Sequence, residues 1–172
     1  MIRTLNGKTP VIHPSSFISE TSYIVGDVLI LENVSIWPGT VIRADSGKIT
    51  IGKGTNIQDN SVVHSDDDAQ IGEYVTIGHR VMCHAKIIGN NSLIGNGSIL
   101  NDGVILGEKC LVSSGSTITE NSKFEDRSLI RGTPGKSIGK IRKKHETLME
   151  NATQSYIKRI NYYKKSDLNL KI

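Results

Sequence analysis

Aliphatic residues recur at every sixth position along most of this chain. Ile88, Ile94, Leu100, Leu106, Val112 and Ile118 run without a slip. Ile24, Ile30, Ile36 and Ile42 form a second run, and Ile51, Ile57 and Val63, then Ile71, Ile77 and Cys83, a third. Gly often follows the aliphatic, as in Ile51-Gly52, Ile77-Gly78 and Leu106-Gly107. Small or β-branched residues such as Val34, Thr40, Val75, Ser98 and Val104 hold the fifth position. A period of six matches neither a helix nor plain strand alternation. It matches a hexapeptide solenoid, in which each repeat is one short strand and a turn. Three repeats close a triangular coil, so about 18 residues return the chain to the same face. The aliphatic points inward, rungs stack about 4.8 Å apart, and stability comes from neighbour packing on neighbour. The pattern predicts an all-β solenoid, a parallel β-helix, over residues 1–138.

The phase slips at three places. Ile42 to Ile51 carries three extra residues in the stretch RADSGK, and Val63 to Ile71 two extra in SDDDAQ. Cys83 to Ile88 is one residue short. All three breaks flank the histidine region or Arg43-Ala44-Asp45, and local departures from an otherwise regular pattern mark function. After Ile130 the pattern stops at the turn cluster Gly132-Thr133-Pro134-Gly135. From about Gly139 the composition becomes helical. Leu148, Ala152, Tyr156 and Ile160 lie at i+4 steps, which predicts an amphipathic C-terminal helix and tail over 139–172, packed on the outside of the prism or on a neighbour.

Composition agrees with a narrow core. Aromatics are only 5% while there are 17 glycines. The net charge is +4, with ten Lys or Arg against three acidic residues from Lys136 onward. No aromatic-interleaved basic motif accompanies that tail, so a solvated helix face is expected and no nucleic-acid partner. Cys83 and Cys110 make neither a disulfide framework nor a CxxC. The start MIRTLNGKTP has no apolar signal region, and no run approaches the length of a membrane span. A soluble, cytoplasmic protein without a membrane partner is expected.

Three of the five histidines, His64, His79 and His84, fall within 21 residues. His64 follows inward Val63 and His84 follows inward Cys83, 20 residues apart. That is one coil plus the two-residue bulge, so both imidazoles stack on one face and can share an ion. His79 follows Ile77 by two and belongs to the preceding face of its coil. Within one chain it should not reach the other two, and a neighbouring prism in a threefold oligomer would have to supply it. The phases therefore predict a metal site at a subunit interface. Cys83 points inward and reads as a small core residue beside His84. Cys110 sits at a small-residue position with no base in view. Trp37, before Pro38, and His13 and His145 carry no assigned role.

The segment Thr55-Asn56-Ile57-Gln58-Asp59, then His64, Thr76-Ile77-Gly78-His79 and His84, with Arg43-x-Asp45 upstream, resembles the gamma-class carbonic anhydrases and their close bacterial relatives. The resemblance spans about Ile12 to Ile141. It implies a left-handed parallel β-helix with a C-terminal α-helix, assembled as a homotrimer. It implies that His64, His79 and His84 are the metal ligands, with His79 from the adjacent subunit. Gln58 matches the residue that hydrogen-bonds the bound water. Arg43 and Asp59 look like an interface ion pair, Asp45 like a second interfacial carboxylate, and Tyr156 is placed near the pocket. The implied cofactor is Zn2+, with Fe2+ or Co2+ as alternatives. The sequence departs from the family at Ser46, where an acidic residue is usual, in the short loop after His64, and at Gly-Thr-Pro-Gly near Pro134. Asp66, Asp67 and Asp68 in that loop read as a hydrated turn in preference to a proton relay.

The chemistry so implied is reversible hydration of CO2 to bicarbonate by a metalloenzyme of the lyase class. Three neutral imidazoles leave one coordination position open, and zinc brings water to a pKa near 7. Two other classes stay open: a metal-dependent thioesterase or hexapeptide acyltransferase, and a non-catalytic trimeric scaffold.

Overall fold

Two-residue strands alternate with four-residue turns through most of the chain, which is the period of six made spatial. The computed structural model describes residues 1–170, so the last two residues of the expected 139–172 segment lie outside the described residues. The chain is a parallel β-solenoid of about seven turns with one helix, Lys143–Lys165, after it. Its three faces each carry one inward ladder. On the first face Ile24, Ile42, Val63, Cys83, Leu100 and Ile118 stack in register. The second stacks Ile30, Ile51, Ile71, Ile88 and Leu106. The third stacks Ile18, Ile36, Ile57, Ile77, Ile94, Val112 and Ile130. These side chains are buried and make one continuous core. Each buried aliphatic contributes about 1.5–3 kcal/mol of transfer free energy.

The phase breaks have distinct forms. The three-residue insertion after Ile42 is absorbed in one long strand, Val41–Ile51, which bends across the corner between the first and second faces beside Tyr23–Ile30. Gly26 in that neighbouring strand has φ +87°, and a Cβ there would stand 1.9 Å from the Ala44 carbonyl oxygen. Only glycine permits this approach, and Ala44 lies between Arg43 and Asp45. The two-residue bulge after His64 protrudes as the exposed Asp66–Asp68 loop.

The end of the solenoid differs in detail from expectation. Ser128–Gly132 turns back through the Gly132–Gly135 bend and pairs antiparallel with Gly135–Lys140, so helix begins only at Lys143. The helix lies on the third face. Its buried side is Met149, Thr153 and Ile160 with half-buried Tyr156 and Tyr163, whereas Leu148 is 55% exposed. The i+4 stripe read from Leu148 is therefore off by one at its start. The cause is the floor beneath it, which is polar at that end: the Thr153 hydroxyl bridges the Tyr74 carbonyl and Thr76. Farther along, Trp37, left without a role from sequence, packs with Phe17, Tyr156 and Tyr163 at ring separations of 4.7–5.1 Å and anchors the helix.

Candidate metal centre

Two corners of the prism collect the polar residues singled out in the sequence. At the corner where the first face meets the second, strand register places Arg43 beside His64 and Val63 over Cys83. His64 and His84, each following its inward residue, therefore stack as their phases predict. His64 Nδ1 and His84 Nε2 are 2.6 Å apart. The other nitrogen of each ring meets a carboxylate. His64 Nε2 lies 2.8 Å from Asp45 Oδ1, and His84 Nδ1 contacts Asp102 Oδ1. The Arg43 guanidinium donates to the second oxygen of Asp45. The hydrogen bond from His64, then that from Arg43, holds the Asp45 carboxyl below the usual carboxylate range against the opposing effect of desolvation.

Counting protons tests whether this set fits a metal. The row Asp45–His64–His84–Asp102 has three contacts, and each carboxylate contact takes one ring N–H. Two neutral rings bring two protons, which the carboxylates use. The two remaining ring nitrogens then face each other with lone pairs converging, and they would serve as ligands for a divalent cation. Two neutral imidazoles oriented by carboxylates on their far nitrogens are the donor pattern of zinc sites. Among the described residues a further possible donor is Asp66, an exposed carboxylate 3.9 Å from His64 Nε2 and grouped with both histidines.

His79 is elsewhere, as its phase requires. It lies at the corner where the third face turns into the first, and it is paired with Asp59 at 3.0 Å. Asn60 and Arg80 turn this corner with φ of 59° and 57°. Its side chain is 44% exposed, against 10% for His64 and 19% for His84. Gln58 sits at the same corner, with its Nε2 donating to Asn56 Oδ1 at 3.0 Å. Arg43 and Asp59 do not meet within the chain: one pairs with Asp45, the other with His79. Tyr156 is on the helix above this second corner, half-buried against Trp37, and burial, then the Asp59 charge, raises its hydroxyl pKa. The chain thus brings together Arg43, Asp45, His64 and His84, and separately Gln58, Asp59, His79 and Tyr156. Asp102 was missed from sequence. It lies on the next coil one residue past the position level with His84, because the coil from Cys83 to Leu100 is one residue short.

Cys83 does point into the prism, and burial pushes its thiol up to about 11, which makes it inert beside His84. A cleft of about 400 Å3 under the start of the helix, lined by Tyr74, Met149 and Thr153 among others, contains none of these histidines.

Residues 86–120 match the family described as bacterial transferase hexapeptide (six repeats). The chain is 39% identical over 95% of its length to a carbonic anhydrase of Geobacillus kaustophilus, 91% of which it covers. It belongs to the gamma-class carbonic anhydrase family. Gamma carbonic anhydrase 2, a mitochondrial protein of Arabidopsis thaliana, is 30% identical over 87% of the chain, which spans only 57% of that relative's length. Among solved structures, a hexapeptide transferase family protein from Anaplasma phagocytophilum superposes with a TM-score of 0.90 at 36% identity, covering 94% of this chain and 97% of its own. No helix among the described residues is long and apolar enough to cross a membrane.

Proposed function

We propose that the protein is a cytoplasmic gamma-type carbonic anhydrase, a left-handed β-helix homotrimer with one metal site per subunit pair. The observation that carries this reading is the Asp45–His64–His84–Asp102 row, in which a carboxylate holds one nitrogen of each imidazole and the other turns toward its neighbouring ring. The reading takes Zn2+ as the ion, with Fe2+ or Co2+ as alternatives, and His79 of the partner subunit as the third ligand. An outward ladder on the first face supports the assembly. Tyr23, Val41, Val62, Met82 and Ile99 lie in register, all but Val41 and Val62 well exposed and those two half-buried. This apolar strip runs between the His79 corner and the His64 corner. A face flanked by both half-sites is what a heterologous threefold interface needs to join them.

The reaction is CO2 and water to bicarbonate and a proton, in both directions. The bound divalent ion supplies Lewis-acid chemistry that ionises water near neutral pH. Asp45 and Asp102 fix the orientation of both imidazoles. Arg43 holds Asp45, and in the trimer Arg43 and Asp59 brace the interface. Gln58, fixed through Asn56, keeps one amide N–H and its carbonyl oxygen to orient water and receive the developing oxyanion. Tyr156 closes the apolar side. The exposed Asp66 carboxylate stands 3.9 Å from His64 Nε2 in the hydrated turn.

Acyl transfer, with or without a metal, is the second reading, favoured by the match of residues 86–120 to hexapeptide transferases. A histidine acting as general base needs a ring nitrogen free for substrate. His64 and His84 have both nitrogens engaged, which favours the metal. A non-catalytic trimeric scaffold predicts an ion with no position open to water. Stopped-flow CO2 hydration by zinc-loaded protein and by an anaerobic iron-loaded sample, with His84→Ala as control, decides among these. The proposal expects hydration that the variant loses. Full metal occupancy without hydration in either form would reject it.

A further inference from the structure

We propose that Asp102 is the positioning residue for His84, fixing which ring nitrogen faces the metal centre. The inference deepens the metal-centre reading above and rests on it for its functional meaning. Register pairs Cys83 with Leu100, so Asp102 stands on the next coil, one residue past the position beside His84 and within reach of its ring. Its backbone is fixed by a tight turn, in which Gly103 has φ +68° and the Val104 N–H donates to the Asn101 carbonyl. From this rigid corner its Oδ1 contacts His84 Nδ1, while His84 Nε2 faces His64 at 2.6 Å. Among the described residues no Lys or Arg is within ion-pair distance of Asp102, although the carboxylate is mostly exposed. Its ion-pair contact goes to the histidine.

A neutral imidazole carries one proton, and the hydrogen bond at one nitrogen decides where the lone pair points. With Asp102 accepting from Nδ1–H, the His84 lone pair is on Nε2 and directed at His64. Without Asp102 a different arrangement satisfies the row with no extra proton: His84 donates from Nε2 to His64 Nδ1, and His64 donates from Nε2 to Asp45. That arrangement places a proton where the metal belongs. Asp45 fixes His64 from the coil on the other side, so the two ligands are held from opposite directions along the prism axis. Asp102 touches neither substrate nor ion, and its effect passes through the ring.

Two readouts at one fixed pH test this on the full chain. Nitrogen-15 NMR of the histidine side chains in metal-free protein reads the tautomer directly. Wild type and Asp102→Asn, whose amide oxygen still accepts, are expected to hold His84 as Nδ1–H, and Asp102→Ala to convert it to Nε2–H. Zinc titration against a chromophoric chelator is expected to show binding weakened about 10–100-fold in Asp102→Ala, with most of the affinity kept in Asp102→Asn. Glu120→Gln, which alters an exposed charge one coil further along the same corner, should match wild type. An unchanged His84 tautomer in Asp102→Ala overturns the proposal. A converted tautomer in a protein that takes up no zinc in any form upholds the positioning role and removes the metal-centre reading instead.

Discussion

The two polar corners of this prism are built from the same repeat yet end in opposite states. At the corner of His64 and His84, the row from Asp45 to Asp102 draws on four successive coils and turns one nitrogen of each ring toward the other. At the corner of His79, a single His79–Asp59 pair stands half in solvent beside a buried Gln58. A solenoid brings together residues about one coil apart and stacks them at strand spacing. It does not bring together residues a third of the way around a coil, because the packed core lies between them. A three-histidine site is therefore two-thirds a property of the chain and one-third a property of assembly. The apolar ladder of Tyr23, Met82 and Ile99 between the corners is the surface across which the remaining third is supplied in the proposed trimer.

Several substitutions would break or sharpen this contrast. The largest effect is expected at the complete corner: His84→Ala should weaken zinc binding by more than about 100-fold, beyond what loss of an outer partner does, as measured by metal analysis after dialysis. Met82→Asp should leave the solenoid folded while placing a charge in the interface, at a cost of about 3–5 kcal/mol when buried unpaired. Sedimentation velocity should then show monomer, with zinc lost although every histidine remains. Gly26→Ala is smaller and local. A positive φ and contact with the Ala44 carbonyl should cost about 1–3 kcal/mol and displace Asp45, so both thermal stability and zinc affinity fall.

The smallest effect lies away from both corners. The Arg127 guanidinium holds the Glu146 carboxyl below its usual range at the start of the helix. The folded chain binds that proton less readily than the unfolded one. Its stabilisation is therefore complete above the unfolded value of 4.5 and lost as pH falls through the lower folded value. Glu146→Gln should be slightly less stable than wild type above pH 4.5 and converge on it in acid, with zinc content unchanged throughout. Thermal melts across pH check this.

The solenoid was legible because a period of six is written in the inward residues themselves, from Ile24 to Ile130. The stacking of His64 on His84 was legible too, since their separation is one coil plus a bulge that the phase slip reveals. Asp102 was not, because the deletion after Cys83 shortens that coil and one coil on from His84 leads to Asn101 instead. An exposed aspartate beside a Gly-turn looks like any loop residue until its partner is known. The helix face was misjudged at Leu148 because Thr153, a polar residue, takes the buried place over Thr76. The final hairpin was unreadable for a similar reason: in Gly135–Lys140 no residue is buried, so there is no apolar alternation to see. Trp37 needed the helix to be placed before its neighbours Tyr156 and Tyr163 made sense.

The most direct test of a site divided between subunits is complementation of metal binding. His64→Ala and His79→Ala proteins, each zinc-free alone, are unfolded, mixed in equal amounts and reassembled. Random trimers place an intact half-site from each parent at about one quarter of interfaces. Zinc restored to about one quarter of an equivalent per chain, with CO2 hydration in proportion, is the predicted result. Mixed trimers that form and still hold no zinc would contradict it.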